Sequence, residues 1–528
     1  MKLAKVLVTD SLAPQGVDVL RQARGIEVVE RAGASPEELL DLIGDAEGLV
    51  IRSGTKVTAE VIARAEKLRV IGRAGIGVDN VDVAAATARG IVVVNTPEGN
   101  NVTTAELAIA LMVSLARHIP QATASMKANK WEKKKFQGME LYNRTLGVVG
   151  AGNIGRIVVS RAQGLGLRVL VYDPFLTTER AAQLEVERVE FDDLLTRSDI
   201  ITVHVPKTKD TTGLIDRAAL AKTKPGVLVI NAARGGIVDE TALLEALESG
   251  HVGGAALDVF EEEPPREGHP LVQHPRVICT PHVGASTEQA QINVSVTVSE
   301  QVRDYLTTGA LRNSINVPSV SPELLNELGP YLALGEKLGR FQGQLQDQGL
   351  EQVEVEYAGE IADRNVTAIT IAVLKGLLEC HRAGVNMVNA TMVAQELGIK
   401  LIETKRGQAE DFASSISVRT RGAADRLISG AVFHGRQPRI VRIDDFMLEA
   451  IPEGPTLLLR NRDQSGVVGA VGKVLGDNGI NISRMQLGLV RERDEAAMLV
   501  NVDTAPGENV LEELRNVPHV VTAKLVEL

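Results

Sequence analysis

The sequence predicts an α/β chain: two doubly wound parallel-sheet lobes, then an α+β domain and a small βαββαβ sheet. Three observations carry this. Short apolar runs alternate with helix-period segments through residues 1–318. A glycine-rich turn, Gly150-Ala-Gly152-Asn-Ile-Gly155, separates an apolar strand from a helix. Past Pro318 and Pro322 the character changes to a mixture of helices and strands with no dinucleotide or catalytic motif.

In the first lobe, the runs Lys5-Val-Leu-Val-Thr-Asp10, Gly48-Leu-Val-Ile-Arg52, Leu68-Arg-Val-Ile71 and Ile91-Val-Val-Val-Asn95 read as parallel strands. A new series follows Pro97. It has an apolar helix from Glu106 to about His118, the strand before Gly150, and strands at 167–172, 200–204, 227–231, 255–259 and 277–280. A chain that leaves a lobe at Pro97 must return to it, and the helical pattern from Thr287 to about Tyr305 is the natural return. Two crossings predict a cleft that closes by hinge motion. Further on, helices are expected at Pro330–Gly339 and Ala368–Cys380 and strands at Gln352–Tyr357, Ser414–Val418 and Arg439–Ile443. From Pro455 the pattern is strand, helix, two strands, helix, strand.

At 528 residues the chain exceeds one core, and ordinary domain size suggests about three to four. A net charge of −11 with no dominant Lys/Arg block excludes a dedicated nucleic-acid binder. No apolar run has transmembrane length and the first residues enter a strand pattern at once, so neither membrane nor signal peptide is expected and the location is read as cytoplasmic. The only cysteines, Cys279 and Cys380, supply no disulfide framework or zinc site.

The turn at Gly150, Gly152 and Gly155 carries chemistry because of its context. Glycines there permit a tight strand-to-helix turn, let backbone approach a pyrophosphate and bring helix close to sheet, while the helix N-terminus offers N–H groups to phosphate. Asp173 follows the next strand, Leu167-Arg-Val-Leu-Val-Tyr172. Its carboxylate suits the ribose hydroxyls and repels a 2′-phosphate, so the expected cofactor is NAD rather than NADP.

Arg234, Glu263 and His282 stand at or just past three strand ends of the same lobe, where a doubly wound sheet opens its ligand crevice. An imidazole suits the removal of a hydroxyl proton, a carboxylate would orient that ring, and a guanidinium forks around a carboxylate. Spacing alone leaves other readings open: a loop histidine, a surface glutamate among three, a capping arginine.

The runs Ala232-Ala-Arg234-Gly-Gly-Ile-Val-Asp239-Glu240, Ala255-Ala-Leu-Asp258-Val-Phe-Glu-Glu-Glu263-Pro and Thr280-Pro-His282-Val-Gly284-Ala-Ser resemble the signature of D-isomer-specific 2-hydroxyacid dehydrogenases. Within that family, Arg73-Ala-Gly75-Ile76-Gly77-Val-Asp79-Asn80, Asn95-Thr-Pro97-Glu-Gly-Asn100 and Lys130-Trp131 are most similar to the branch acting on 3-phosphoglycerate. The resemblance implies oxidation of 3-phospho-D-glycerate to 3-phosphohydroxypyruvate with NAD, opening L-serine synthesis, and a reverse reaction that extends to 2-oxoglutarate. It implies Arg234, Glu263 and His282 as catalytic residues, and Asn153, Ile154, Asp173, Ala232, Arg234, Asp258, His282 and Gly284 as NAD contacts. Arg52, Ser53, Arg73, Gly75, Ile76, Asn100 and Arg234 are candidates for substrate, the glycines of Arg73–Gly77 forming an N–H nest. The nest is expected to hold the substrate carboxylate, and Arg52, Ser53 and Asn100, with Lys133, Lys134 and Lys135, are the candidates for its phosphate. Alternatives remain: a glyoxylate or hydroxypyruvate reductase, a non-catalytic NAD-sensing corepressor, or chiefly an amino-acid sensor.

The tail Arg462-Asp463-Gln-Ser-Gly466-Val-Val-Gly469 with Gly479-Ile-Asn481 resembles the ligand edge of ACT domains. That implies L-serine as effector, held by Asp463, Gly466 and Asn481 between subunits, and a homotetramer. The expected organisation is a substrate-binding domain (1–97, with 287–318 as its return), a Rossmann NAD domain (98–286), an intervening α+β domain (319–453) and an ACT regulatory domain (454–528). In the intervening domain, Lys405, Arg419, Arg421, Arg436 and Arg439 suggest an anion or merely a solvated face.

Overall fold

The computed structural model describes residues 3–319, 322–346, 349–408, 412–422, 424–490 and 494–528. The first sheet holds β1 (Ala4–Val8), β2 (Ile26–Glu30), β3 (Gly48–Ile51), β4 (Val70–Arg73) and β5 (Val92–Asn95) in the order β2-β1-β3-β4-β5. Every pairing is parallel. Strand β2 was not expected: it lies at an edge with only Ile26 fully buried, so acids interrupt its apolar run.

The second sheet holds β6 (Thr145–Val149), β7 (Arg168–Tyr172), β8 (Glu187–Arg188), β9 (Ile200–Val203), β10 (Val227–Asn231), β11 (Val252–Leu257) and β12 (Val277–Cys279). Their order, β12-β11-β10-β9-β6-β7-β8, is also all parallel. The order reverses between β9 and β6, which makes the carboxyl ends there a topological switch point.

The apolar helix spans Asn101–Ala116, starting before Glu106. Asn101 and Thr104 look like turn residues but are buried, and the Thr104 hydroxyl donates to the Gly284 carbonyl at 3.0 Å. It ends early because His118 takes φ 52°, from which a second helix, Ile119–Lys127, leaves at 64°. Among the described residues no single helix is long and apolar enough to cross a membrane.

Helix Glu288–Thr308, N-capped by the Thr287 hydroxyl, returns to the first lobe. Its Val294, Val298 and Val302 share a core with Val6, Val8 and Val92. Gly16 makes that packing close: a Cβ there would lie 2.6 Å from the Ser295 backbone.

A third, mixed sheet runs β14-β13-β15-β16-β17-β18 (β13 Leu350–Gly359, β14 Lys400–Arg406, β15 Ser414–Gly422, β16 Arg426–Phe433, β17 Gln437–Ile443, β18 Phe446–Ala450). Helices Pro322–Leu345 and Thr367–Glu379 cover it. This α+β unit touches the first lobe, where the Asn386 side-chain amide donates to the Gly90 carbonyl at 3.0 Å.

The last sheet, β20-β21-β19-β22, is antiparallel (β19 Pro455–Arg462, β20 Ile482–Val490, β21 Glu495–Val502, β22 Val520–Glu527). Strand alternation divides its residues. Leu457, Leu459, Met498 and Val500 face the helices Val467–Asp477 and Glu508–Arg515, whereas Leu458, Leu499 and Val526 join the core of the preceding unit. The tail sheet thus buries apolar residues on both faces, and deleting residues 455–528 would strip apolar cover from the α+β unit.

Candidate active site

The glycine turn between β6 and helix Gly155–Gly164 has a different requirement at each position. Gly150 takes φ 92° and a Cβ on it would lie 2.7 Å from the His204 carbonyl. At Gly155 a Cβ would lie 2.0 Å from the Gly150 carbonyl, an overlap whose relief costs about 1–3 kcal/mol. Around Gly152 there is nothing within 4 Å: that open space, at a helix N-terminus, is where a pyrophosphate fits.

Asp173, just past β7, accepts from the Ala151 and Phe175 N–H groups, both at 2.8 Å. The carboxylate is pinned beside the turn, and each oxygen keeps a lone pair for a ribose hydroxyl. Replacing Asp173 by Ala is expected to narrow the NAD-over-NADP preference by about tenfold or more (~1.4 kcal/mol). The ratio of kcat/KM for the two cofactors measures it; an unchanged ratio would move the discrimination elsewhere.

His282 and Glu263 meet: Nδ1 lies 2.6 Å from Oε2. Since a carboxylate only accepts, Nδ1 carries the proton and Nε2 is left for a substrate hydroxyl. His282 adopts φ 51°, a left-handed conformation that costs a residue bearing a Cβ about 1–2 kcal/mol. Asp258 holds it there. The Asp258 carbonyl accepts the His282 N–H at 2.9 Å, and the buried carboxylate accepts from the Thr280 hydroxyl (2.6 Å), Val283 N–H (2.8 Å) and Gly284 N–H (2.9 Å). Both carboxylate oxygens therefore serve the loop that carries His282, giving Asp258 a positioning part beside its place in the cleft wall.

Burial raises the Glu263 pKa, but the His282 hydrogen bond, the Phe260 N–H and the charges of His282 and Arg234 outweigh it, and the net shift is downward. A carboxylate with a lowered folded-state pKa stabilises the fold fully above its unfolded value, and that contribution is lost as pH falls through the folded value. The Tm difference between wild type and Glu263→Gln should accordingly be largest near neutrality and shrink below about pH 4.5; a difference independent of pH would contradict the pairing.

Three arginines converge opposite this pair. Arg234, following β10, donates from Nε to Asp79 across the lobe boundary at 3.2 Å and from a terminal nitrogen to the Ala233 carbonyl at 2.7 Å. Gly77 leaves room for its guanidinium, which a Cβ would meet at 2.0 Å. Arg73 ends β4; burial first, then the charges of Arg234 and Arg52, push its pKa down to about 10 against the pull of Asp79 and Asp10. Its Nε is buried with no partner. Arg52 is fixed at its backbone by the Asp10 carboxylate (2.6 Å) and donates to the Ser11 carbonyl (3.0 Å).

These groups line one cleft of ≈1050 Å³ between the lobes. Of the expected positions it gathers Arg52, Ser53, Arg73, Gly75, Ile76, Asn100, Gly152, Asn153, Ile154, Ala232, Arg234, Asp258, Glu263, His282 and Gly284. The nest is incomplete, because the Gly75 N–H donates to the Thr96 hydroxyl at 2.7 Å. Lys133, Lys134 and Lys135 form an exposed 3-10 turn that is not part of the cleft wall.

Asp79 and His204 also line the cleft, and the sequence reading gave neither a role. Asp79 sits inside a motif already singled out and meets Arg234 only through folding. His204 stands just past β9, so the strand-end rule that found Arg234 would have found it too. Burial lowers the His204 pKa to about 4, and its Nε2 is taken up with the Thr202 hydroxyl at 2.9 Å, so it backs the glycine turn as a neutral ring.

In the tail, Asp463 and Gly466 follow β19 while Asn481 precedes β20. Register puts them at opposite ends of β21: Arg462 pairs with Glu495, Ile482 with Val502. One chain does not bring these three residues together. Among the described residues no group of His, Cys, Asp or Glu is arranged to hold a metal ion.

Family models match in three consecutive segments: the NAD-binding domain of D-isomer specific 2-hydroxyacid dehydrogenases at residues 109–284, the D-3-phosphoglycerate dehydrogenase intervening domain at 327–444, and the ACT domain at 456–519. The chain is 43% identical to D-3-phosphoglycerate dehydrogenase of Archaeoglobus fulgidus, over 99% of this chain and 100% of that one. It is 42% identical to the enzyme of that name from Synechocystis, over 100% and 95%. Among solved structures, an NAD-dependent formate dehydrogenase from Staphylococcus aureus in complex with NAD superposes with a TM-score of 0.55 at 28% identity, covering 60% of this chain and 100% of that chain.

Proposed function

The chain belongs to the D-isomer-specific 2-hydroxyacid dehydrogenase family, in the branch of the D-3-phosphoglycerate dehydrogenases, and from that premise we propose how its cleft oxidises 3-phospho-D-glycerate to 3-phosphohydroxypyruvate. The observation that carries the reading is the convergence of Arg52, Arg73 and Arg234 in a chain whose net charge is −11. With the carboxylates Asp79 and Asp10 beside them, the three guanidiniums still leave a crowded, partly desolvated cationic surplus that favours an anionic substrate, and a phosphate and a carboxylate on one short carbon chain supply the anions.

NAD, when bound along the glycine turn, supplies the hydride acceptor. His282 Nε2 takes the hydroxyl proton, Glu263 stabilises the imidazolium that results, and Arg234 grips the substrate carboxylate beside the reacting carbon. Closure of the lobes would exclude water and bring Arg73 and Arg52 onto the phosphate.

L-serine is proposed as the effector at the ACT domain of a cytoplasmic homotetramer. The split of Asp463 and Gly466 from Asn481 supports a site completed by two chains, an arrangement in which a ligand couples subunits if it favours one lobe geometry. Because the tail shares a core with the preceding unit, a point substitution is the cleaner probe: Asp463→Ala is expected to weaken serine inhibition at least tenfold with uninhibited turnover unchanged, and equal inhibition would exclude this site.

The decisive assay follows NADH formation with 3-phospho-D-glycerate and NAD, with and without L-serine. Turnover supports the substrate assignment. Equal or better reduction of glyoxylate or unphosphorylated hydroxypyruvate would favour a reductase, and no turnover with any 2-hydroxy acid would favour a cofactor-sensing scaffold.

A further inference from the structure

Outside the cleft, a second carboxylate–imidazole pair lies under the segment that carries Glu263. Glu240 is the first residue of helix Glu240–Glu248, capped by Asp239. Its Oε1 accepts the Glu261 N–H at 2.6 Å and its Oε2 lies 3.1 Å from His269 Nε2. Both side chains are 16% exposed, and neither lines the cleft. The His269 ring stands edge-on to Phe260, with centroids 5.5 Å apart at 74°. The Phe260 N–H in turn donates to Glu263 Oε1 at 3.1 Å, and Glu263 Oε2 holds His282.

The same grip reaches Arg234. Glu240 starts the helix that follows the Arg234–Asp239 loop, and backbone contact between that loop and the Glu263 segment is so close that a Cβ on Gly235 would lie 1.8 Å from the Phe260 carbonyl. We propose that Glu240, with His269 behind it, is a positioning residue that locks the Arg234 turn to the Glu263 segment and so sets the distance between the dyad and the carboxylate-binding guanidinium.

A carboxylate suits the position because it accepts from two donors on different segments at once, the Glu261 N–H being the one that ties the segments together, and support of this kind decides whether catalytic groups hold their geometry. A displacement of about 1 Å in such groups costs on the order of 100-fold in rate. The inference rests on the assignment of Glu263 and His282 given above, so the test separates the two.

The experiment is a double-mutant cycle on the full-length enzyme: Glu240→Ala and Glu263→Gln, singly and together, with kcat for 3-phospho-D-glycerate and the Kd of NADH by fluorescence. Glu240→Ala is expected to lower kcat roughly 10–100-fold with NADH affinity within about twofold, and to cost little more once Glu263 is already Gln. Glu240→Gln, which keeps an oxygen for the Glu261 N–H, should recover most of the rate. His269→Phe, which keeps the ring against Phe260, should fall between them and guards against a Glu240→Ala chain that fails to fold. Additive losses in the cycle, an equal loss of NADH affinity, or an unchanged kcat in both Glu240→Ala and His269→Phe would overturn the clamp. If Glu263→Gln alone leaves kcat unchanged, the dyad assignment fails and the clamp with it.

Discussion

His282→Ala is expected to lower kcat by about 10²–10⁴-fold, the range for losing a positioned general base, while NADH affinity stays within about twofold. The geometry explains the split. His282 presents Nε2 to the cleft because Glu263 occupies Nδ1 at 2.6 Å, whereas the dinucleotide cradle we propose is built from Gly150, Gly152, Gly155 and Asp173 on other elements. Its φ of 51° is sustained by the Asp258 carbonyl and carboxylate, which an alanine backbone also satisfies, so the loop need not collapse with the ring. Single-turnover rates and NADH titration of the variant check both halves; an unchanged turnover would remove His282 as the base.

Arg234→Ala is expected to lower kcat/KM for 3-phospho-D-glycerate by roughly 10²–10³-fold, as for loss of a donor aimed at developing charge. Lysine should restore little. Arg234 is held at Nε by Asp79 and at a terminal nitrogen by the Ala233 carbonyl, and a lysine has neither the planar fork nor donors enough to keep these contacts and grip a carboxylate as well. A variant Arg234→Lys within about threefold of wild type would show that charge alone suffices and would undo the bidentate role proposed here. The substitution also tests the lobe boundary, since Asp79 loses its partner there; a salt dependence of KM steeper in Arg234→Ala than in wild type is not expected, because a cation has been removed.

What was legible in the sequence was local or followed a topological rule. The glycine turn declared itself through its flanking strand and helix, and the strand-end positions of Arg234, Asp258 and His282 followed from the parallel alternation. Edge strands β2 and β8 were not legible, because half-exposed strands lose the apolar run that marks a strand. The start of helix Asn101–Ala116 was hidden by polar residues whose burial depends on the distant Gly284 loop. Asp79 was visible in its motif but not its reach to a residue 155 positions away, and the burial of Leu458, Leu499 and Val526 against the α+β unit follows from packing between units that no periodicity reports.

The most direct measurement is kcat/KM in NAD reduction for 3-phospho-D-glycerate against unphosphorylated D-glycerate, for wild type and Arg73→Ala side by side. The cluster of Arg52, Arg73 and Arg234 predicts a wild-type preference of about 10³-fold or more for the phosphorylated substrate (~4 kcal/mol), and a much smaller preference in Arg73→Ala. A wild-type enzyme that oxidises both substrates equally well, or a preference that Arg73→Ala leaves intact, would contradict the account.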